Sequence, residues 1–344
     1  MSPEINTRQN FRAYRIHADD SGVRAGLETL HLDDLTEGEV VIRTHYSSVN
    51  YKDALAATGR GKILRRPVLN GGIDAAGVVV SSQSDAFREG ERVVVTGCGL
   101  SETLDGGYAE YVRVPADCVS ALPASLTLAE AMIIGTAGFT AALAIHRMEE
   151  NHLHPAMGPV AVTGANGGVG QMAIDLLATR GYRVCAYTSR PEHGGALKAL
   201  GADMVRDVAE LSADEGPLAR AEWGGAIDAL GGDPLSSLVR HTVPFGSVAS
   251  IGLAASHTLD LTVMPFILRG VSLLGISSAN CPCVLRREIW RRLGDDLRPR
   301  HLGAMHSRTV TLDELETVFE GLLARELTGR VLVDIAGDAD PGAR

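Results

Sequence analysis

The sequence predicts an α/β protein in which a mostly β domain precedes a doubly wound parallel sheet. Three observations carry this. Up to about residue 130, short β-branched runs alternate with Gly, Pro and Asp, the punctuation of a compact, barrel-like domain. At Val160-Ala161-Val162-Thr163-Gly164-Ala165-Asn166-Gly167-Gly168-Val169-Gly170-Gln171 an apolar strand runs into a glycine turn and then into a helix. Beyond it, strands and helices alternate for about 140 residues, the rhythm of a parallel sheet with crossover helices.

Taken in order, residues 1–10 are polar and read as a frayed end, and the first strand begins at Phe11 to Ile16. Val40 to Thr44, Ala76 to Val80, Arg92 to Val95 and Tyr108 to Val114 are further β-branched runs. Leu128 to Ile134 and Thr136 to Glu149 carry apolar residues at helical spacing, with Gly135 and Gly138 allowing a bend. After the glycine turn come a helix over 171–180, a strand from Tyr182 to Tyr187, and a helix over 192–200 stopped by Gly201. Met204-Val205, Ala226 to Leu230, Ser247 to Ile251 and Ser272 to Ile276 are the remaining strands of this part. From about 302 the chain carries one helix, Leu312 to Arg325, and one strand, Arg330 to Ile335, which most simply rejoins the first domain and leaves Gly337 to Arg344 as a loose tail. The expected domains are 1–130 with 302–344, and 131–301.

The glycine turn has the spacing of a dinucleotide cradle. Ala165 stands where a first glycine usually sits, Gly167 where the backbone must approach a pyrophosphate, and Gly170 where the helix packs on the strand. Gly164, one residue earlier, can supply the turn that Ala165 cannot. Asn166, Gly167, Gly168 and Val169 then offer unpaired N–H groups and a positive helix end to phosphates. Such turns also close ordinary strands, so the following helix and strand are what raise the reading. The tip of the next strand, Thr188-Ser189-Arg190, has no carboxylate to hold a ribose 2′-hydroxyl; a guanidinium and a hydroxyl suit a 2′-phosphate instead. NADPH is therefore the expected cofactor, although a solvated Arg190 beside Pro191 is the plainer alternative. Ligands of such sheets lie beyond the carboxyl ends of the strands, which nominates Gly231-Gly232, Gly252-Leu253 and Ser277-Ser278 as lining.

With 344 residues the chain can hold two ordinary domains. No charge-free apolar run approaches the roughly 20 residues that span a bilayer, and the N-terminus shows no export signal. The net charge of −10, without blocks of like charge, disfavours a nucleic-acid partner. The five cysteines, Cys98, Cys118, Cys185, Cys281 and Cys283, are odd in number, which favours reduced thiols in the cytosol over a disulfide framework. The expected location is cytoplasmic.

The domain order resembles the medium-chain dehydrogenase/reductase superfamily, and four motifs narrow it. Ser47-Ser48-Val49-Asn50-Tyr51-Lys52-Asp53, Gly72-Ile73-Asp74-Ala75-Ala76-Gly77, Gly135-Thr136-Ala137-Gly138-Phe139-Thr140-Ala141 and Met264-Pro265-Phe266-Ile267-Leu268-Arg269-Gly270-Val271-Ser272-Leu273-Leu274-Gly275 closely resemble the acryloyl-CoA reductase group of the quinone oxidoreductase branch. The likeness implies a GroES-like domain with a Rossmann domain and a homodimer through the last strand of the nucleotide sheet. It also implies cofactor contacts at Tyr51, Thr140, Arg206, Leu253, Ile267, Ser278 and Arg330. Where related zinc alcohol dehydrogenases carry a ligating Cys and a ligating His, this chain has Asn50 and Ile73. A catalytic zinc needs three protein side chains, and Cys281-Pro282-Cys283 is too closely spaced with no second pair, so no metal site is expected.

Without a Lewis acid, reduction of an electron-poor double bond is the easier chemistry, because the substrate carbonyl disperses the charge that follows hydride addition. Tyr51 is the first catalytic candidate, since the resembling family places it against nicotinamide and substrate; a Tyr that only walls the cleft is the rival reading. Asn50 and Lys52 are lesser candidates, and Lys52 with Asp53 can be read as an ion pair shaping the cleft. Arg60, Lys62, Arg65 and Arg66 form the densest basic stretch of the first domain and could hold the phosphates of coenzyme A. Cys98 stands where the resemblance leads one to expect Trp, which can widen the substrate pocket, and Cys283 replaces a basic residue. The expected activity is NADPH-dependent reduction of a short enoyl-CoA thioester, acryloyl-CoA first. A reductase of quinones or free enones is the alternative, and a non-catalytic NADPH-binding redox sensor a more distant one.

Overall fold

The computed structural model describes residues 10–211 and 216–337. The expected frayed end over 1–9 and all but the first residue of the loose tail therefore lie outside the described residues. The chain divides into two compact units, the first comprising 1–136, 279–294 and 306–344, the second 137–278 and 295–305. These limits differ from the expected 1–130, 131–301 and 302–344 chiefly at 279–294. There a helix, Cys283–Leu293, belongs to the first unit because its buried Arg286 and Trp290 bond to Thr96 of that unit's sheet.

The first unit holds the strands β1 (Phe11–Asp19), β2 (Gly22–Leu30), β3 (Val40–Ser48), β4 (Val68–Asn70), β5 (Asp74–Ser82), β6 (Arg92–Thr96), β7 (Tyr111–Val114) and β8 (Ser120–Ala121), of which β5 opens and β6 ends with four consecutive buried residues. A three-stranded sheet runs β2-β1-β4. β2 and β4 carry too few apolar residues to register as runs. The second unit holds β9 (Val160–Val162), β10 (Val184–Thr188), β11 (Met204–Asp207), β12 (Trp223–Asp228), β13 (Thr242–Ser250) and β14 (Ser272–Gly275) in the order β11-β10-β9-β12-β13-β14, every pair parallel. This is the doubly wound arrangement expected, and its strand order reverses between β9 and β12. All three residues of β9 are buried, as a central parallel strand covered on both faces requires.

Two strands close the first unit. β15 (His306–Val310), which the sequence pattern did not reveal because three of its residues are exposed, runs parallel to β16 (Arg330–Asp334). β16 pairs antiparallel with β3, matching Leu332 with Ser48 and Val333 with Ser47. The second sheet of the unit thus runs β15-β16-β3-β5-β6-β8, with β7 also on β3. The helix Leu128–Glu150 is broken at Gly135, where φ is 49° and ψ is −159°. It is long and apolar enough to cross a bilayer, yet 78% of that apolar stretch is buried within the protein.

Candidate functional site

The first unit gathers a buried polar cluster around Asp74, the opening residue of β5. Its carboxylate accepts from Ser48 Oγ (2.6 Å), Asn50 Nδ2 (2.8 Å) and the Thr136 N–H (2.9 Å) on Oδ2, and from Thr136 Oγ1 (2.6 Å) on Oδ1. The pairing of β16 on β3 brings Arg330 to the same place. Its guanidinium donates to Ser48 Oγ (3.0 Å), Asn50 Oδ1 (3.1 Å), Val49 O (3.2 Å) and Ile133 O (3.0 Å). Burial pulls the Arg330 pKa down, and Asp74 and Asp53 oppose that shift. Gly135 completes the cluster: a Cβ there would lie 2.7 Å from Asp74 Oδ2 and Ser48 Oγ and 2.8 Å from Arg330 Nη2, which together with its positive φ admits only glycine.

Asn50 precedes the short helix Tyr51–Ala57, and this fixes what each residue of the motif can do. The Asn50 amide is held by Asp74, Ser48 and Arg330. Lys52 pairs with Glu102. The expected Lys52–Asp53 pair is corrected by this geometry, because Asp53 is buried, with Oδ2 accepting from the Asn50 N–H (2.8 Å) and Oδ1 from the Ile73 N–H (2.9 Å). Burial and the neighbouring Asp74 push the Asp53 pKa up to about 7. Of the three catalytic candidates only Tyr51, 55% exposed, presents a side chain with no bond to the other described residues. After this helix, Ile63 and Leu64 pack on the core while Arg60, Lys62, Arg65 and Arg66 are exposed, and none of the four has an ion-pair partner among the described residues.

Cys98, nominated for the substrate pocket, is joined to Cys118 by a disulfide, with Cα atoms 5.6 Å apart. This corrects the expectation of reduced thiols throughout. An odd count is equally met by one bridge and three thiols, and Cys185, Cys281 and Cys283 are free. The antiparallel pairing of β8 on β6, Val93 with Ala121 and Val94 with Ser120, brings the two cysteines together, and Gly97, Cys98 and Gly99 turn just beyond β6 with positive φ.

In the second unit the glycine turn has the geometry of a cradle. Gly164 takes φ 61°, and a Cβ on Gly170 would lie 2.4 Å from Gly164 O, so the helix Gly168–Thr179 can pack this closely only on glycine. The Ala165 N–H donates to Tyr187 O (3.2 Å), placing Asn166 to Val169 beside Thr188, Ser189 and Arg190 at the carboxyl end of β10. Thr188 Oγ1 accepts from the Arg190 N–H (3.1 Å), Ser189 is exposed, and the Arg190 guanidinium has no ion-pair partner among the described residues. Asp228, at the end of β12, accepts from Thr163 Oγ1 (2.6 Å) and the Gly231 N–H (2.7 Å), bracing the turn where the strand order reverses. Leu253, 67% exposed, lies in the loop after β13, which bonds to Ala229 just beyond β12.

Among the other nominated residues, Arg206 on β11 pairs in register with Tyr187, the residue before Thr188 on β10. Arg206 is engaged by Glu222 (2.9 Å) and lies over the Trp223 ring (5.3 Å). Thr140 is buried on the helix after the Gly135 bend, and Ser278 is half-buried three residues beyond β14. Ile267 is 71% exposed on the helix Met264–Arg269, in an apolar group with Val263, Leu268 and Phe245. Arg330 is 4% exposed and its guanidinium is committed to the Asp74 cluster, so it acts as a tie within the first unit rather than as a direct cofactor contact. The role of Asp74 goes beyond the motif it belongs to; its signal in the sequence is a carboxylate opening the apolar run Ala75 to Val80, since a buried charge demands partners. Among the described residues no group of three or more His, Cys, Asp or Glu could hold a metal ion.

Comparison with known proteins identifies the family and the fold. The family described as "Alcohol dehydrogenase GroES-like domain" matches residues 36–124, and "Zinc-binding dehydrogenase" matches residues 168–294. The Bacillus subtilis protein named putative quinone oxidoreductase YhfP is 43% identical over 328 residues, covering 94% of this chain and 99% of that protein. Its crystal structure with NAD bound has a TM-score of 0.92 to this chain, covering 95% of this chain and 99% of that one. The probable acrylyl-CoA reductase AcuI of Escherichia coli is 41% identical over 325 residues, 94% of this chain and 100% of that protein. The yhdH oxidoreductase from Salmonella enterica, solved in complex with NADP, is 41% identical with a TM-score of 0.90, covering 94% of this chain and 99% of that one.

Proposed function

We propose that this chain, which belongs to the medium-chain dehydrogenase/reductase superfamily and within it to the acryloyl-CoA reductase group, reduces the α,β double bond of a short enoyl-CoA thioester, acryloyl-CoA first, with NADPH. The cofactor supplies a hydride for the β carbon when bound. Gly167, Gly168 and Val169 hold its pyrophosphate through backbone N–H groups and the positive helix end, and Ser189 and Arg190 take the 2′-phosphate. The Tyr51 hydroxyl orients the thioester carbonyl, on which charge develops, and water delivers the proton to the α carbon. The assignment to a thioester rests on one observation: the four exposed cations Arg60, Lys62, Arg65 and Arg66 follow directly on the Tyr51 helix and have no carboxylate partner among the described residues.

Replacing these four cations by Gln tests the reading. Charge-assisted bonds to phosphate are worth roughly 1.5–3 kcal/mol, so kcat/KM for acryloyl-CoA should fall at least about tenfold while reduction of an uncharged quinone keeps its rate. An unchanged thioester rate would remove the loop from substrate binding. Quinone or enone reduction is the second reading, favoured by the name of the Bacillus subtilis relative, and steady NADPH turnover with any acceptor would exclude a non-catalytic sensor. We place the protein in the cytoplasm and as a homodimer through β14. That strand is the last of its sheet, and Phe245, Val263, Ile267 and Leu268, all exposed, give its surroundings the apolar character an uncovered edge lacks.

A further inference from the structure

We infer that Asp74 and Arg330 are positioning residues for the reaction, acting together through the Asn50 amide to fix where the helix that begins with Tyr51 starts. The inference rests on the assignment of Tyr51 to the chemistry. Asn50 is gripped at both ends of its side chain: Nδ2 donates to Asp74 Oδ2 (2.8 Å) and, at 3.3 Å, to Ser48 Oγ, and Oδ1 accepts from Arg330 Nη1 (3.1 Å). With the amide held from both sides its torsions have no freedom, and the next residue is Tyr51. A second tie acts on the backbone of the same residue, since Asp53 Oδ2 accepts from the Asn50 N–H and its Oδ1 from the N–H of Ile73, the neighbour of Asp74.

The grip is itself rigid. Asp74 and Arg330 share Ser48 Oγ, which donates to the carboxylate and accepts from the guanidinium. Thr136 fastens the other side of Asp74 with two bonds, and Arg330 is pinned by two main-chain carbonyls. Gly135 lets the chain pass close over all three groups. Asp74, Arg330 and Asp53 are almost wholly buried, so the ionic partners meet in a medium where a missing contact is costly. Two carboxylates and one guanidinium leave a surplus negative charge, and the raised Asp53 pKa, up to about 7 from burial and Asp74, relieves it by protonation. Placement errors near 1 Å are enough to cost about 10²-fold in rate. A cluster that holds the residue before Tyr51 is therefore a means of keeping its hydroxyl in place.

The test is a double-mutant cycle of Asp74→Asn with Tyr51→Phe, read on whichever acceptor, acryloyl-CoA or a quinone, the wild-type protein reduces faster. Asp74→Asn keeps side-chain volume but removes the carboxylate charge, so the bond accepted from Asn50 Nδ2 loses its charge-assisted strength and the Arg330 guanidinium its counter-charge, and the grip on Asn50 loosens. Asp74→Asn should lower kcat roughly tenfold or more, leaving KM for NADPH within about twofold. Tyr51→Phe should lower kcat roughly ten- to hundredfold alone but less than about twofold in the Asp74→Asn background, because a misplaced hydroxyl has little left to lose. Losses that multiply would overturn the positioning role, and so would a Tyr51→Phe protein with full kcat. A wrong substrate class shows separately, as a wild-type rate higher with quinone than with acryloyl-CoA, and the cycle still reads out. Should Asp74→Asn fail to fold, Thr136→Val, which deletes one bond to Asp74 at nearly constant volume, takes its place with the same expected non-additivity.

Discussion

Single side chains decide cofactor choice and the pH response. The Arg190 guanidinium faces no carboxylate among the described residues, so its contribution is confined to whatever anion the cofactor brings. Arg190→Ala should weaken NADPH binding roughly ten- to hundredfold, the equivalent of one charge-assisted hydrogen bond. NADH affinity should barely change, and equal losses for both cofactors in a titration would reject the 2′-phosphate assignment. Asp53 makes a second prediction. Its folded pKa is about 7, raised by burial and by Asp74, against about 3.9 in an unfolded chain. Between those values the folded protein holds a proton that the unfolded chain releases, so stability is full at low pH and is lost as pH rises through about 7. Tm measured from about pH 5 to about pH 8 should decline, and Asp53→Asn should flatten that decline. A wild-type Tm that climbs over this range would contradict the raised pKa.

At the level of elements, the parts most legible in the sequence were those whose pattern is periodic and local. The strand, turn and helix from Val160 to Thr179, the bend at Gly135 and the alternation of the nucleotide unit follow from hydrophobic spacing and glycine placement. β2 and β15 escaped because edge strands with exposed residues carry no run of apolar side chains, and β4 because three residues are too few to make a run. Residues 283–293 fall within the expected 131–301 domain, whereas they form a helix whose buried Arg286 and Trp290 make it part of the first unit. The Asp74 cluster was illegible for a different reason. Its members lie at 48, 50, 74, 136 and 330, and only the register of β16 on β3 brings the last beside the first. The bridge between Cys98 and Cys118 is likewise a tertiary fact. It closes a loop of sequence separation 20, for which chain entropy gives about 3 kcal/mol. Reduction should therefore lower Tm by roughly 4 °C, Cys118→Ser should do the same, and reductant should then have no further effect on that variant. A Tm indifferent to reductant would mean that the two sulfurs are thiols.

For the molecule as a whole, electrostatics set the problem that the substrate assignment must solve. A protein of net charge −10 repels a polyanionic thioester at long range, so a coenzyme A substrate needs a local cationic patch, and the loop after the Tyr51 helix is where the sequence concentrates one. A neutral quinone needs none. The same reasoning predicts that thioester turnover weakens with salt while quinone turnover does not. Everything proposed for Tyr51, the Asp74 cluster, the cradle and the basic loop converges on one activity. The most direct measurement is the steady-state oxidation of NADPH, followed by its absorbance, with acryloyl-CoA, crotonyl-CoA, a quinone and a simple enone each offered to the purified protein. The account predicts the highest kcat/KM for acryloyl-CoA, with propionyl-CoA formed one for one with NADPH consumed; a higher value for the quinone or the enone, or no turnover of any of the four, would contradict it.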